Sequence, residues 1–237
     1  MPELNKPRCS IIIPCYNEGS NLLKTISRLV EEVKIDFECL IVVDDEKDMS
    51  IKIFSQNFDE DKRFKILVND KGPGPANAIR YGISKANSDV IVLTMADGSD
   101  DPSDIPKLVK LVERGLTIAC ASRYMSGGQQ IGAPFVKSFL SRIAGITLFY
   151  FARIGTHDST NSFKAFDKTF LDRNTIESRL GFEISLELVA KAKRQSELIG
   201  EIPTIWIERD LGKSKFKLFR WLPSYLKWYF VAMKIWR

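Results

Sequence analysis

Asp89-Val-Ile-Val-Leu-Thr-Met-Ala-Asp97-Gly-Ser-Asp-Asp-Pro102 decides how this 237-residue chain is read. Val90 to Thr94 is an apolar, mostly β-branched run, too short for a helix, and predicts a buried central strand. It runs directly into three carboxylates, Asp97, Asp100 and Asp101, beside a glycine. In open α/β sheets, ligands bind in the crevice outside the carboxyl ends of the strands. Hard oxygen ligands at that place suit a divalent cation, Mg2+ or Mn2+, which would bridge to a phosphorylated ligand. Asp101-Pro102, with Asp104 behind it, also reads as a plain helix start, so a capping alternative stands beside the metal reading.

Outward from that stretch, strands and helices alternate. Cys9 to Pro14 is an apolar strand ending in Pro14-Cys-Tyr-Asn-Glu18, and Gly19-Ser20-Asn21 opens a helix to about Lys34. A second strand, Phe37 to Val43, ends in Asp44-Asp45. A short helix and a strand at Phe64 to Val68 follow. Pro75 closes a rigid Gly72-Pro-Gly-Pro loop and opens a helix to Ala86. After the central strand come a helix at Pro102 to Arg114 and a strand at Leu116 to Ala121. This order predicts an α/β fold, a mostly parallel sheet with helices on both faces. Three strand ends then share one edge. Tyr16, flanked by Pro14, Asn17 and Glu18, is placed to lie along a nucleobase. Asp44 or Asp45 is placed to accept from a base N–H or a ribose hydroxyl, and Ala96-Asp97 to meet a diphosphate. The chain has neither a GxGxxG turn nor a GxxxxGK[ST] loop, which disfavours dehydrogenases and P-loop enzymes.

Composition is that of a globular chain with one large core: 44% of residues are hydrophobic. The net charge of +5 is modest, and no nucleic-acid partner is expected. Cys9, Cys15, Cys39 and Cys120 show no CxxC spacing and read as small core hydrophobes of a reducing cytosol. With one histidine, His157, a Ser-His-Asp triad or a histidine-rich metal site is disfavoured. Met1 to Pro7 lacks the apolar core of a signal peptide. No uninterrupted apolar run reaches membrane-spanning length; the nearest, Ile143 to Ile154, contains Arg153.

In the second half, Ser122-Arg123-Tyr124 ends a strand and leads to the loop Ser126 to Gly132. A long helix from about Pro134 to Phe151 carries Lys137 and Arg142. Then come His157-Asp-Ser-Thr-Asn-Ser-Phe-Lys164, a helix around Phe182 to Arg194, a strand at Leu198 to Ile207, and the basic loop Glu208 to Lys215. Glu183 and Glu187, four apart, share a helix face, with a solvated face as the plain alternative.

Four segments in this order resemble family-2 inverting glycosyltransferases of the GT-A fold, in particular their polyprenyl-phosphate sugar synthases. They are Ile13-Pro-Cys-Tyr-Asn-Glu18, Ala121-Ser-Arg-Tyr124, Asp158-Ser-Thr-Asn-Ser-Phe-Lys164 and Arg209-Asp-Leu-Gly-Lys-Ser-Lys215. The resemblance runs from Ser10 to about Lys215. It implies transfer of a sugar, with inversion, from a nucleoside diphosphate (GDP-mannose or a UDP-hexose) to a polyprenyl or dolichyl phosphate. The implied catalytic residues are Asp97, Arg123, Arg209 and Lys215. Donor binding falls to Pro14, Tyr16, Asn17, Glu18, Asp44, Asp45, Ala96, Asp97, Lys213 and Ser214. Acceptor binding falls to Arg123, Lys137, Arg142, Asp158, Thr160 and Asn161, and the ion to Asp97 with Asp100 and Asp101. The family's D-D-G-S after strand two is Asp44-Asp-Glu-Lys47 here, and its D-A-D motif is Met95-Ala-Asp97. Methionine is a poor ligand for a hard ion, which motivates a second reading, a nucleotide-sugar-binding protein without turnover. A third is a glycosyltransferase with a soluble glycan acceptor. A phosphomonoester acceptor needs no general base, being largely dianionic at neutral pH. For a hydroxyl acceptor, Glu183, Glu187 or Asp158 is the carboxylate to test.

The last stretch completes the expected layout: residues 1–215 as the glycosyltransferase domain, and 216–237 as an amphipathic helical segment. Lys213, Lys217, Arg220, Lys227, Lys234 and Arg237 keep near one helical face, and aromatic residues fill the others. That pattern suits the headgroup boundary of an anionic membrane on its cytoplasmic side, with Pro223 kinking or dividing the helix. An amphipathic helix packed on the protein's own core is the alternative.

Overall fold

The computed structural model describes residues 6–179, 181–208 and 218–234. Its frame is a seven-stranded sheet in the order β3-β2-β1-β4-β7-β5-β8. The strands are β1 (Cys9–Cys15), β2 (Phe37–Val43), β3 (Phe64–Val68), β4 (Val90–Leu93), β5 (Ile118–Ser122), β7 (Lys164–Asp167) and β8 (Ile199–Pro203). β4 is the buried strand anticipated from Val90 onward. Every pairing is parallel except those of β7, which runs antiparallel between β4 and β5.

Helices cover both faces, as the alternation requires. Residues of α1 (Ser20–Glu32), α2 (Met49–Asn57) and α4 (Ile105–Glu113) pack with Ile11 and Ile13 of β1 on one side. Residues of α3 (Pro75–Lys85), α6 (Lys168–Arg173) and α7 (Ile184–Arg194) pack with Ile12 on the other. The side-chain period of two along β1 sorts its isoleucines between two cores. All four cysteines are free and buried, and burial pushes the Cys9 and Cys15 thiols up to about 12, so they behave as core hydrophobes.

Several boundaries differ from the sequence reading. The strand expected over Leu198 to Ile207 is split at Thr204. Its second half, β9 (Ile205–Ile207), leaves the main sheet to pair with β6 (Gln129–Ile131). The long helix is α5 (Phe135–Thr147) continued by a π-helical turn at Leu148–Ala152. Gly145 lets α5 approach closely: a Cβ there would lie 2.0 Å from the His157 carbonyl oxygen.

The largest correction concerns α8 (Leu218–Ala232). It runs undivided through Pro223 and packs on α7 rather than standing apart. Trp228 and Ala232 are buried, Lys227 pairs with Glu177 at 3.0 Å, and the Lys191 ammonium lies over the Trp228 ring. The Tyr229 hydroxyl donates to Thr147 at 2.9 Å, joining α8 to α5. Of the aromatic residues read as membrane-facing, Trp228 is buried and Trp221, Tyr225, Tyr229 and Phe230 are half-buried, while the side chains of Phe216, Phe219 and Trp236 lie outside the described residues. The exposed apolar face belongs to α5 and its π turn instead. Phe135 is 80% exposed, Val136 58%, Phe139 52% and Phe151 76%. Phe135–Ala152 is, by length and composition, the helix among the described residues apolar enough to cross a membrane.

Candidate functional site

A cavity of about 830 Å³ opens at the carboxyl ends of β1, β2, β4 and β5 and continues between α5 and α8. At one end, strand termini supply its walls. β1 delivers Pro14, Tyr16 and Glu18, and β2 delivers Asp44. The Asp44 carboxylate accepts the Gly74 N–H at 2.8 Å and the Asn69 side-chain amide at 3.3 Å, bracing the Pro73–Gly74–Pro75 wall. Gly74 sits at φ +115°, where a side chain would be strained. β4 delivers Met95, Ala96 and Asp97. α1 grips this last turn: the Thr25 hydroxyl donates to the Ala96 carbonyl at 3.1 Å, and Arg28 donates to the Gly98 and Asp100 carbonyls.

Other residues expected at this end are committed elsewhere. Asn17, at φ 51°, takes the Asp48 carboxylate on its N–H and accepts the Met49 N–H, fixing the strand end to α2. Asp45 is exposed and caps its own turn through the Lys47 N–H. Neither lines the cavity. The metal trio also separates. Asp101 caps the 3-10 turn at Pro102–Asp104 through the Ser103 N–H, as the plain alternative held. Asp100 turns into the core, accepting the Thr94 hydroxyl at 2.9 Å and the Met95 N–H at 3.2 Å. Burial, then the charge of Asp97, pushes its carboxyl up to about 7. Asp97 alone of the three lines the cavity. Among the described residues no cluster of three or more His, Cys, Asp or Glu could hold an ion. The donor set thus fits a divalent ion that shares one carboxylate with a ligand's phosphate oxygens, a usual arrangement for Mg2+.

At the middle of the cavity stands Arg123, at the end of β5. Its Nε and Nη2 grip the Asp158 carboxylate at 2.7 and 2.9 Å, a bidentate pair. Both side chains are nearly or wholly buried, 10% and 0% exposed. Burial alone would lower the Arg123 pKa and raise that of Asp158; the partner outweighs it in both, so each holds its charge more firmly than usual. Asp158 itself does not line the cavity, which corrects its reading as an acceptor contact: it orients Arg123. Arg123 Nη2 also donates to the Ser141 hydroxyl at 3.2 Å, and Ser141 meets Thr160 at 2.7 Å and Tyr124 at 3.0 Å. Lys137, Thr160 and Asn161 line the same wall, whereas Arg142 is exposed, lies over the Tyr124 ring and lies outside the lining.

Beyond Arg123 the walls turn apolar: Leu140, Ile143 and Ala144 from α5 face Leu222, Tyr225 and Leu226 from α8. Glu183 and Glu187 are buried rather than solvated. Glu187 accepts the Glu177 and Ser178 N–H groups and pairs with Lys191 at 2.7 Å, a loop clamp. Arg209, Lys213, Ser214 and Lys215 lie outside the described residues. The sequence reading missed Ser141 and Trp206, which line the cavity, and named Glu208, which also lines it, only as the start of the basic loop. Ser141 had a signal, standing one helical turn after Lys137. Trp206 had none, because its position depends on β9 leaving the main sheet.

A profile of Glycosyl transferase family 2 matches residues 10–175. A dolichol-phosphate mannosyltransferase of Pyrococcus furiosus is 30% identical over 215 residues, 89% of this chain; the chain spans 59% of that protein's length. A polyprenol monophosphomannose synthase of Mycolicibacterium smegmatis is 26% identical, covering 88% of this chain and 80% of its own length. Among solved structures, glucosyl-3-phosphoglycerate synthase from Mycobacterium tuberculosis, in complex with Mn2+, UDP and glucosyl-3-phosphoglycerate, superposes with a TM-score of 0.70 at 12% identity. The match covers 96% of this chain and 80% of that one. The same enzyme with Mg2+ and UDP gives 0.69 at 13%, with the same coverage. At such identities the structural likeness establishes the fold alone.

Proposed function

This chain belongs to glycosyl transferase family 2, and from that premise we propose that it moves a sugar from a nucleoside diphosphate to a polyprenyl phosphate at a membrane surface. The carrying observation is the shape of one cavity. It joins a strand-end crevice holding Asp44 and Asp97 to an apolar channel between α5 and α8, with Arg123 at the join.

The donor's base and ribose fit the crevice of Tyr16, Asp44 and residues 73–75, with the diphosphate toward Asp97. Asp97 would hold a divalent ion, which when bound lowers the charge of the leaving diphosphate. The Arg209 to Lys215 run is assigned to the same diphosphate on its sequence. At the join, Arg123 holds the acceptor phosphate. Its Nε and Nη2 are fixed on Asp158 and Ser141, while Nη1 donates to no described residue. Lys137 and Ser141 add a cation and a hydroxyl. An acceptor phosphate oxygen then attacks the anomeric carbon from the face opposite the leaving group, and the bond to the diphosphate oxygen breaks, with inversion. A largely dianionic nucleophile has no proton to surrender, which suits an acceptor wall built of cations and hydroxyls.

The acceptor's hydrocarbon chain fits the channel, and the exposed face of α5 supports contact with the bilayer in which that chain is anchored. Eighteen residues of helix reach about 27 Å at 1.5 Å per residue, at the short end of what crosses a hydrocarbon core of about 30 Å. One side of α5 is also committed to the cavity wall. Both points favour a helix lying in the interface over one crossing it.

The test is transfer of labelled hexose from UDP- and GDP-sugars to polyprenyl phosphate in vesicles, with label expected in the organic extract. Label released only as free sugar, or passed only to soluble phosphates, would overturn the lipid acceptor. Phe135→Asp with Phe139→Asp is expected to reduce vesicle co-sedimentation at least tenfold without lowering Tm, since both rings are exposed. Unchanged co-sedimentation would remove α5 from the membrane contact.

A further inference from the structure

Lys164 is the first residue of β7, and its side chain is wholly buried. It stands opposite Leu93 of β4 and Cys120 of β5, in the middle of the sheet. The ammonium donates to the carbonyl of Asn161 and reaches that of Asp158 at 3.5 Å. A buried ammonium is costly, and burial lowers the Lys164 pKa. An apolar residue would fill a central sheet position at less cost, so the charge calls for an explanation in function.

The charges around Arg123 supply one. Arg123 and Asp158 form a buried pair whose charges cancel, and a neutral pair is a weak receptor for an anion. Lys164, bound to the carbonyl of Asp158 itself, adds one positive charge beside that neutral pair.

We propose that Lys164 is a positioning residue for the acceptor. From inside the sheet it makes the Arg123 site receptive to a phosphomonoester, and it anchors the 158–161 loop that presents Thr160 and Asn161 to the cavity. The proposal rests on the acceptor reading above. It adds a residue that touches no substrate and acts through Arg123 and the loop.

The full-length chain is titrated calorimetrically with citronellyl phosphate, a short soluble isoprenyl monophosphate, and separately with UDP or GDP plus Mn2+. Lys164→Met removes charge and donor. Lys164→Gln keeps a donor for the carbonyls without the charge. Lys164→Arg keeps both. The expected result is about a tenfold loss of citronellyl phosphate affinity in the Met and Gln variants, the scale of one unit charge at an effective dielectric constant of about 20. The Arg variant should recover most of the affinity, and nucleotide affinity should stay within about twofold throughout. In turnover, KM for the acceptor rises while KM for the donor does not. If the Met variant fails to fold, the Gln variant decides. Wild-type affinity in a folded Met or Gln variant overturns the proposal, as does a parallel fall of nucleotide and phosphomonoester affinity. A wild-type chain that binds nucleotide but ignores citronellyl phosphate overturns the acceptor reading itself, and this inference with it.

Discussion

The two ends of the cavity are made differently. At the end proposed for the donor, Asp97 and Asp44 sit on turns shaped by backbone contacts: Thr25 and Arg28 hold carbonyls of the Asp97 turn, and Gly74 donates its N–H to Asp44. At the end proposed for the acceptor, Arg123 and Asp158 are a buried ion pair, and the buried Lys164 holds the carbonyls of their loop. The difference teaches which residues carry function apart from stability. The turn of Asp97 rests mostly on main-chain groups, with its own carboxylate accepting the Ser99 N–H at 3.1 Å, so a change to Asn, which keeps an acceptor there, is expected to cost little folding energy. Acceptor-end geometry is the ion network itself, so function and stability fall together there.

The largest effect that would break this contrast is at Arg123. Arg123→Ala leaves Asp158 buried without its cation, an event that costs about 3–5 kcal/mol, and it removes the proposed phosphate contact. Urea unfolding is expected to register that loss together with near-complete loss of transfer. A variant as stable as wild type would show that the pair does not bind the acceptor end together. A smaller total effect is expected at Asp97→Asn. Transfer should fall about 100-fold or more, the scale of losing one group that stabilises developing charge, and Mn2+-dependent nucleotide affinity should fall with it, while Tm moves little. A large drop in Tm would erase the distinction between the two ends.

The smallest effect lies at their border, on Asp100. Its carboxyl is held at about 7 against an ordinary 3.8. Between those values the native state keeps a proton that the unfolded chain releases, so this group makes the unfolding free energy fall as pH rises from about 4 to about 7. Asp100→Asn is expected to remove that slope, leaving stability in the variant flatter across the window. Variant and wild-type curves that run parallel from pH 4 to 8 would mean that Asp100 is ionised in the native state throughout.

Legibility followed the same division. β1, β2, β3 and β4 were readable because each is a short apolar run with its punctuation beside it, and the strand ends that line the donor crevice follow directly. β7 was not readable: a strand of four residues that opens with a buried lysine carries no apolar pattern. Its place between β4 and β5 is set by pairings dozens of residues away. Asp158 and Arg123 were both singled out as acceptor contacts, but only the fold shows that one holds the other. Asp100 and Asp101 look alike beside Asp97; which carboxylate turns inward depends on Thr94 and on the turn between. The C-terminal aromatics carried a true amphipathic signal, yet amphipathicity does not say whether the apolar side meets lipid or α7. Of α5, the part from Ile143 was read as the nearest apolar run of membrane-spanning character; its exposed start at Phe135 went unread because Lys137 and Arg142 interrupt the pattern.

The antiparallel strand in the middle of the sheet also bears on how the chain is made. Synthesis delivers β1 through β5 well before residue 164 leaves the ribosome. During that interval β4 and β5 have no neighbour between them, and each holds an open row of amide and carbonyl groups. Chains emerge at roughly 5–20 residues per second, so the gap persists for seconds, long against the microseconds in which hydrophobic collapse occurs. The nascent chain is therefore open to mispairing after β4 and β5 have appeared; β7 fills the gap between them, and β8 later covers the outer edge of β5. The same strand that sets Lys164 beneath the proposed acceptor site thus also joins the two parts of the sheet, so that end is completed after the strand-end crevice in the birth of the protein.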